Sequence, residues 1–197
     1  MGRGELTRER IVATAAGVFN ERGFAGASMA DLMAATGLQK GGIYRHFESK
    51  EALALEAFDH AIACVSDRYR VALEDKKHAV DRLHAIVGVF AEIPENPPVP
   101  GGCPVMNAII ESDDANPALR DRARDAMDGL RGLLRRITER GIERGEIRPG
   151  TDPEALATVM VSTLEGALAL ARFYGQPQHM RYATEHLTRY LEGSVRA

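Results

Sequence analysis

Tryptophan is absent from the 197-residue sequence, and cysteine occurs only at Cys64 and Cys103. Neither cysteine belongs to a CxxC pair or has a histidine at zinc-finger spacing, so the sequence predicts neither a disulfide framework nor a structural metal site. No uncharged apolar run approaches the roughly 18 residues that a membrane-spanning helix needs, and the first ten residues lack the apolar segment of a signal peptide. We therefore expect a cytoplasmic protein without a membrane partner.

Catalytic motifs are missing as well. The six histidines are scattered, and there is no HExxH, no ExxH pair of the di-iron type, no GxSxG and no glycine-rich phosphate loop. An enzyme is therefore the function class that the sequence disfavours most strongly. We expect no catalytic residue, no metal site and no cofactor.

Charge is distributed unevenly along the chain. Residues 1–50 carry seven Lys and Arg against five Asp and Glu, a net charge of +2, whereas the remaining residues carry 18 against 23, a net charge of -5. A basic segment attached to an acidic body is compatible with nucleic-acid binding through the basic segment. The asymmetry alone does not establish such binding.

Helix signals dominate the sequence, and no run of alternating β-branched residues competes with them. We therefore predict an all-α fold. The expected helices begin with one between Thr7 and Gly23 and continue with approximately 28–36, 39–47, 50–73, 79–93, 104–113, 117–144, 153–174 and 178–191. The stretch PENPPVPGGCP, residues 94–104, contains five prolines and is expected to be a loop.

Several of these helices carry capping signals. Thr7 is the expected N-cap of the first helix. Ser28 begins the second helix, and Asp31 three residues later gives an acidic version of the capping box. Thr151 or Asp152 is expected to cap the helix that starts at the following proline, because proline is favoured at the first helical position.

Residues 28–47 are predicted to form a helix, a glycine-containing turn and a second helix, the geometry by which a short helix enters the major groove of DNA. Apolar side chains are expected to hold these helices together, while glycines and polar residues face outward. The outward-facing residues are Gln39, Lys40, Gly41, Gly42, Tyr44, Arg45 and His46. The alternative is that the glycines belong to a loop and the aromatic residues to an ordinary packed surface.

Each outward-facing residue type suits a particular contact with DNA. The two glycines lack side chains and let the helix backbone approach the duplex closely. Lys40, Tyr44 and His46 are able to reach phosphate groups. Gln39 and Arg45 are candidates for reading base edges, because amide and guanidinium groups match adenine and guanine.

The segment TRERIVATAAGVFNERGFAGASMADLMAATGLQKGGIYRHFESKEAL, residues 7–53, resembles the N-terminal domain of the TetR family of transcriptional regulators almost position by position. The resemblance implies a three-helix DNA-binding domain in residues 1–50, with the helix-turn-helix at about 28–47, and a helical ligand-binding and dimerisation domain in residues 51–197. The nine predicted helices fit this arrangement. The implied function is that of a repressor that binds a palindromic operator in double-stranded DNA and is released by a small-molecule inducer.

The resemblance also implies roles for individual positions. Positions that commonly contact phosphate in the family correspond to Ser28, Tyr44, His46 and Lys50. Positions near the bases correspond to Gln39, Gly41 and Arg45. Together with Lys40, these residues are the candidate DNA-binding residues.

The last two helices are expected to join two copies of the chain in a homodimer through a four-helix bundle, as in the family. Apolar residues recur at three- and four-residue spacing after Pro153, and the small residues Gly166, Ala167 and Ala171 allow a second helix to approach closely. The alternative is that this stripe is the core of a monomer. A two-fold dimer sets the recognition helices about 34 Å apart and predicts a palindromic operator.

The inducer site is predicted among apolar residues of the middle helices, and the sequence does not identify the inducer. The candidate ligand-binding residues are Phe90, Met106, Ile110, Met127, Leu130 and Phe173. The alternative is that each of them belongs to the ordinary core, because methionine and phenylalanine at helical spacing are typical of protein cores.

Cys103 is a further candidate, as a sensor of electrophiles or oxidants. It lies in GGCPVMNAIIES, residues 101–112, which is similar to a GC..N segment in a subset of the family. The cysteine opens a predicted helix, and the positive end of a helix favours a thiolate. The alternative is a small residue packed at a helix start.

One other function remains open, that of a helical ligand carrier or interaction protein that has lost DNA binding. The acidic body and the modest charge of residues 1–50 permit this alternative. The presence of Lys40, Tyr44, His46 and Lys50 argues against it. Salt-dependent binding to a palindrome distinguishes the two functions, because phosphate contacts release counterions.

Overall fold

The computed structural model describes residues 2–111 and 116–197, and within these ranges it contains nine α-helices and no β-strand. The helices are α1 (Arg3–Arg22), α2 (Met29–Thr36), α3 (Lys40–Tyr44), α4 (Lys50–Leu73), α5 (Ala79–Glu92), α6 (Pro104–Glu111), α7 (Pro117–Glu143), α8 (Pro153–Tyr174) and α9 (Gln178–Tyr190), followed by a π-helix over Leu191–Val195. The predicted all-α fold is confirmed. The predicted end of α6 at residue 113 lies outside the described residues.

The described residues form two compact units. The first unit comprises the described part of residues 1–65 and 98–125, with α1, α2, α3, α6 and the first parts of α4 and α7. The second unit comprises residues 66–97 and 126–197, with α5, α8, α9 and the remainders of α4 and α7. Each unit has its own buried apolar residues.

Two predicted helix starts are confirmed by side-chain caps. The Ser49 hydroxyl accepts a hydrogen bond from the Ala52 N–H at 3.0 Å, at the start of α4. The Asp152 carboxylate accepts hydrogen bonds from the N–H groups two and three residues later, at 2.9 and 3.1 Å. Asp152 is therefore the N-cap of α8, and Pro153 occupies the first helical position.

The predicted start of α1 is wrong. The helix begins at Arg3, and Thr7 lies inside it. The reason is that Gly2 has an extended backbone and donates its N–H to the Glu5 carboxylate at 2.9 Å. The acidic side chain in the first turn thereby anchors the helix start before Thr7 is reached.

The predicted end of α3 is also wrong, because the helix stops at Tyr44 instead of Phe47. The N–H of His46 donates to the carbonyl of Ile43 at 2.9 Å, only three residues back. Bonds of this spacing tighten the backbone and end regular α-helical geometry. Gln39 is the N-cap of this short helix.

The first unit is organised around aromatic side chains. Phe19 of α1 and Phe24 lie stacked with ring centroids 5.6 Å apart, and Phe24 meets Phe58 of α4 edge to face at 6.1 Å. Leu32 of α2 and Ile43 of α3 are fully buried in the same unit. The helices α1, α2 and α3 therefore share one core with the first part of α4, which fixes their arrangement.

In the second unit, α8 contributes much of the core. Leu83 and Phe90 of α5, Met160 and Leu164 of α8, and Leu187 of α9 are all buried. By length and composition α8 could cross a membrane, but half of its most apolar window, 50%, is buried within the protein. A core helix satisfies the same criterion, so α8 is weak evidence for a membrane span.

The C-terminal segment is fastened to the second unit by a charged cluster that the sequence did not predict. The Arg196 guanidinium contacts the carboxylates of Asp81 and Glu192, each at 2.6 Å, and His84 Nε2 lies 2.6 Å from Glu192. Hydrogen bonds from Arg196 and then His84 lower the pKa of Glu192 to about 2. An isolated backbone bridge joins Arg196 to Ile147.

Candidate nucleic-acid interface

The start of α2 is fixed by a reciprocal cap. The Ser28 hydroxyl accepts a hydrogen bond from the Asp31 N–H at 3.2 Å, while the Ser28 N–H donates to the Asp31 carboxylate at 2.9 Å. Hydrogen bonds from the Ser28 side chain and backbone lower the pKa of Asp31, and Arg22 at 2.8 Å adds its positive charge. The predicted capping box is confirmed, and it holds the exposed Ser28 at the start of α2.

The turn between α2 and α3 depends on Gly37. Its φ of 69° is left-handed, and its N–H donates to the Met33 carbonyl at 3.0 Å. The Thr36 hydroxyl donates to the Leu32 carbonyl at 2.6 Å, so a second group closes the same helix end. A residue with a side chain at Gly37 is strained, because left-handed backbone is unfavourable for L-residues.

Five of the candidate DNA-binding residues lie exposed on α3 or beside it. They are Gln39, Lys40, Gly41, Tyr44 and Arg45. The Lys40 ammonium lies 5.7 Å from the centre of the Tyr44 ring, so these two side chains share one patch. Apart from its chain neighbours and the backbone of its own helix, no heavy atom of the described residues lies within 4 Å of the position that a Cβ would occupy at Gly41. The backbone of α3 is therefore open to solvent at that residue.

Gly42, by contrast, faces its own turn. A Cβ at this position would lie 3.6 Å from the Cβ of Leu38, at ordinary contact distance. The residue is half-buried. Of the two adjacent glycines, Gly41 is the one that provides an open backbone surface.

His46 and Lys50 are half-buried. The His46 ring lies 6.5 Å from the Phe47 ring, which is itself buried. The Lys50 ammonium donates to the Ala27 carbonyl at 2.7 Å, directly before Ser28 in the chain. This bond brings the starts of α2 and α4 together, so Ser28 and Lys50 lie at one edge of the first unit.

The sequence did not predict the contact through which α1 supports the exposed surface of α3. The Arg8 guanidinium of α1 lies 4.8 Å from the centre of the Phe47 ring and 2.5 Å from the Glu56 carboxylate of α4. The three residues come from separate parts of the sequence, and none has a distinctive spacing. No local pattern predicts such a contact.

A buried amide pair ties α1 to the loop before α6. Asn20 is only 3% exposed, and its side-chain amide donates to the carbonyls of Pro100 and Gly102 at 2.7 and 3.0 Å. The Asn107 amide donates to the Asn20 side chain at 2.8 Å and to the Gly101 carbonyl at 2.9 Å. Gly101 has a φ of 104°, and a Cβ there would lie 2.5 Å from the Asn20 backbone. The GGCPVMN segment is therefore built to fit against α1.

The candidate ligand-binding residues are divided between the two units. In the second unit, Phe90 is buried, Met127 and Leu130 are half-buried, and Phe173 is 81% exposed. In the first unit, Cys103 and Met106 are half-buried, and Ile110 is 73% exposed.

Exposed apolar side chains are concentrated on α8 and α9. Among the described residues, six of the eleven large exposed hydrophobic side chains belong to these helices or directly adjoin them: Val159, Leu170, Phe173, Tyr174, Tyr182 and Tyr190. Gly166 is exposed with open space at its Cβ position, whereas Ala167 and Ala171 are buried within the chain. Exposed apolar side chains gathered on neighbouring helices are typical of interaction surfaces.

Comparison with protein families agrees with this geometry. Residues 11–57 match the family described as "Bacterial regulatory proteins, tetR family". Residues 79–187, more than half of the chain, match the family described as "Tetracyclin repressor-like, C-terminal domain". The resemblance inferred from the sequence is therefore confirmed for both parts of the protein.

Individual relatives are similar over nearly the whole chain. The HTH-type transcriptional repressor DhaR of Mycobacterium sp. (strain GP1) is 28% identical, over 82% of this chain and 80% of DhaR. A TetR transcriptional regulator from Chloroflexus aurantiacus J-10-FL is 50% identical with a TM-score of 0.96, over 100% of this chain and 99% of that one. A cysteine mutant of the TetR family transcriptional regulator CifR, in complex with 26-bp double-stranded operator DNA, is 26% identical with a TM-score of 0.82, over 92% and 94%. The chain belongs to the TetR family, whose members are DNA-binding transcriptional regulators.

Proposed function

We propose that the protein is a repressor that binds a palindromic operator as a homodimer and releases it when a small-molecule inducer binds. The observation that carries the DNA-binding part is the exposed surface of α3, with Lys40 and Tyr44 in one patch beside the open backbone at Gly41. Residues 1–50 serve as the DNA-binding domain, with the helix-turn-helix at 28–47. Residues 51–197 serve as the ligand-binding and dimerisation domain.

The candidate DNA-binding residues divide into two groups by chemistry. Gln39 and Arg45 are exposed at the two ends of α3 and carry the amide and guanidinium groups that recognise base edges. Phosphate contacts come from the hydroxyl, ammonium and imidazole groups around them, which are those of Ser28, Lys40, Tyr44, His46 and Lys50. Gly41 lets the backbone of α3 approach the duplex.

Dimerisation through α8 and α9 is supported by their exposed apolar side chains. Phe173 is 81% exposed and Tyr182 is 56% exposed in the single chain, and burial in a dimer removes such groups from water. A two-fold axis would place two α3 helices about one turn of DNA apart, roughly 34 Å, which requires a palindromic operator. Size-exclusion chromatography with light scattering measures the oligomeric state directly.

Two arguments support repression and induction, namely membership of the family and the thermodynamic coupling between inducer binding and operator binding. DhaR is named as a repressor, which supports the same sign of regulation here. An inducer must bind more tightly to the released conformation, because equal affinity for both conformations shifts nothing. We expect the inducer to bind at the candidate ligand-binding residues named above, which include Cys103 as a sensor. The protein acts in the cytoplasm, and we assign it no enzymatic activity.

The decisive experiment is fluorescence anisotropy with the DNA immediately upstream of the gene, at two salt concentrations. We expect tight binding that weakens steeply with salt, because each neutralised phosphate adds about -0.9 to the slope of log K against log salt. The double variant Tyr44→Ala, Lys50→Ala should bind at least about tenfold more weakly. The control variant Arg135→Ala removes an exposed positive charge from the second unit, outside the candidate DNA-binding residues, and should bind like the wild type.

Failure of this experiment has a defined meaning. If the folded dimer binds neither its upstream DNA nor any sequence recovered by selection from a random pool, repression is refuted. The alternative function, a helical ligand carrier that has lost DNA binding, would then account for the fold.

A further inference from the structure

A cleft of about 400 Å³ in the second unit is lined by six basic side chains and by no acidic one. The basic residues are Lys76, Lys77, Arg82, Arg136, Arg140 and Arg144. The chain outside residues 1–50 carries a net charge of -5, so this concentration of positive charge runs against the average of the body. Such a concentration creates a local positive potential that attracts anions.

The fold assembles the cleft from two distant stretches of sequence. Arg136 and Arg140 lie four residues apart on one face of α7, and Arg144 follows directly after the helix end, its N–H donating to the Arg140 carbonyl at 3.1 Å. A Cβ at Gly141, on the same helix, would lie 2.6 Å from the Cβ of Ala79. Glycine at this position lets the start of α5 pack directly on α7, which brings Lys77 and its neighbours opposite the arginines.

One wall of the cleft is held in place by hydrogen bonds. The Arg82 guanidinium donates to the carbonyls of Lys76 and Leu73, at 3.0 and 3.4 Å. These bonds fix the loop between α4 and α5 over the cleft. Arg82 makes them to neutral carbonyls, so its positive charge is not neutralised.

No described acidic residue forms an ion pair with the basic side chains of the cleft. Within the described part of the chain, none of them forms an ion pair, although many other arginines do, such as Arg131 with Glu154. Glu139 and Glu143 stand next to these arginines in the sequence of α7 but do not pair with them. The Glu146 carboxylate keeps its negative charge at the start of α5, where it accepts a hydrogen bond from the Ala79 N–H at 2.7 Å, but it forms no ion pair with the described basic residues of the cleft. A bound anion would relieve the mutual repulsion of these positively charged side chains.

We infer that the cleft binds a small polyanion with several ionised phosphate groups. Guanidinium groups pair with phosphate oxygens in a two-pronged geometry, and α7 together with the turn that follows it offers three of them. Leu133 and Ile137 also line the cleft and add apolar surface to it. The volume lies within the range of roughly 300–1,000 Å³ that is usual for small-molecule sites. The site is separate from the operator-binding residues and does not depend on the proposed repressor function.

The test is isothermal titration calorimetry of the full-length protein with sodium tripolyphosphate, at constant ionic strength. We expect saturable binding that the double variant Arg140→Gln, Arg144→Gln weakens at least tenfold. A matched control, Arg124→Gln, Arg135→Gln, removes the same charge from exposed positions of α7 outside the cleft and should change the affinity less than twofold. Circular dichroism verifies that both variants remain helical.

A second control separates the cleft from the DNA-binding surface, which also attracts phosphate. The variant Lys40→Gln, Lys50→Gln should keep tripolyphosphate binding within twofold of the wild type. A parallel titration with ATP identifies the source of the phosphates, since tighter binding of ATP than of tripolyphosphate assigns a nucleotide, and equal binding assigns the phosphate chain alone.

Three results would overturn the inference. The first is the absence of saturable tripolyphosphate binding. The second is an equal loss of affinity in the cleft variant and the α7 control. The third is a loss of random-sequence duplex binding in the cleft variant without a loss of tripolyphosphate binding, which would mean that the cleft serves nucleic acid.

Discussion

Removing the Asn20 side chain should destabilise the protein substantially, although this residue is polar and lies far in sequence from its partners. The side chain supplies both hydrogen bonds to the carbonyls of Pro100 and Gly102, and it accepts one from Asn107. An unsatisfied buried polar group costs about 1–3 kcal/mol. The Gly102 carbonyl is buried and the bond to the Pro100 carbonyl is only part-buried, so we expect Asn20→Ala to lower the free energy of unfolding by about 1–3 kcal/mol.

The nearly isosteric variant Asn20→Asp sharpens the prediction. A carboxylate has no donor, so it would direct negative charge at two carbonyl oxygens inside a site that is only 3% exposed. Burial and these oxygens raise the folded-state pKa of the introduced carboxyl above the ordinary value of about 3.9. The protonated form can donate one hydrogen bond. The penalty is therefore smallest below about pH 4 and grows as the pH rises from there toward the folded-state pKa.

Urea denaturation followed by circular dichroism measures both effects, at fixed protein concentration because a dimer's stability depends on it. Asn96→Asp is the matched control, since Asn96 is exposed and its oxygen accepts a bond from Arg68 at 3.3 Å that a carboxylate can retain. We expect the control to change stability little at any pH. Equal stability of Asn20→Ala and the wild type, or a penalty in Asn20→Asp that does not depend on pH, would refute the reasoning.

Four other changes test separate parts of the protein. Gly41→Ala should leave stability unchanged or raise it by up to about 1 kcal/mol in thermal melts, because alanine favours helix and the site is open, yet weaken operator binding in anisotropy. Gly37→Ala, at a φ of 69°, should instead lower stability by about 1 kcal/mol. Phe173→Glu should convert the proposed dimer to a monomer in light scattering while keeping the helical signal, and a dimer that persists in this variant would count against α8 as its interface. The pKa of Glu192 is depressed from 4.5 to about 2, so its stabilising contribution is full above pH 4.5 and is lost as the pH falls toward 2. Arg196→Gln should reduce this acid sensitivity of the melting temperature.

Local signals in the sequence were sufficient for most helix boundaries. Ser28 with Asp31, and Asp152 before Pro153, satisfy backbone groups only a few residues away, so the sequence contains both partners of each bond. Prediction failed at Thr7, a residue with suitable chemistry, because Glu5 had already anchored the helix start. Two adequate local signals competed, and their spacing alone did not reveal which would prevail.

Long-range contacts escaped prediction for a different reason. Asn20 and Asn107 are 87 residues apart, and an asparagine on the inner face of a helix signals only that some partner exists. The basic cleft likewise brings together Lys77, just before α5, and Arg140 of α7. Each of these two stretches by itself resembles an ordinary solvated surface. The exposed positions of α3 were predictable because a short helix after a glycine turn has one face to pack and one to present. Pairings between distant stretches depend on the completed core.

The buried amide pair has a place in the proposed induction as well as in stability. Cys103 and Met106, two of the candidate ligand-binding residues, belong to the same short segment as Asn107, which is bonded to Asn20 on α1. Helix α1 in turn packs against α2, at whose start Ser28 lies. If an inducer displaced this segment, it would break hydrogen bonds worth about 1 kcal/mol each, and coupling between sites in regulatory proteins is typically about 1–3 kcal/mol. Two or three such bonds therefore suffice energetically to link inducer binding to operator release, and by reciprocity the bound operator would weaken inducer binding by the same factor.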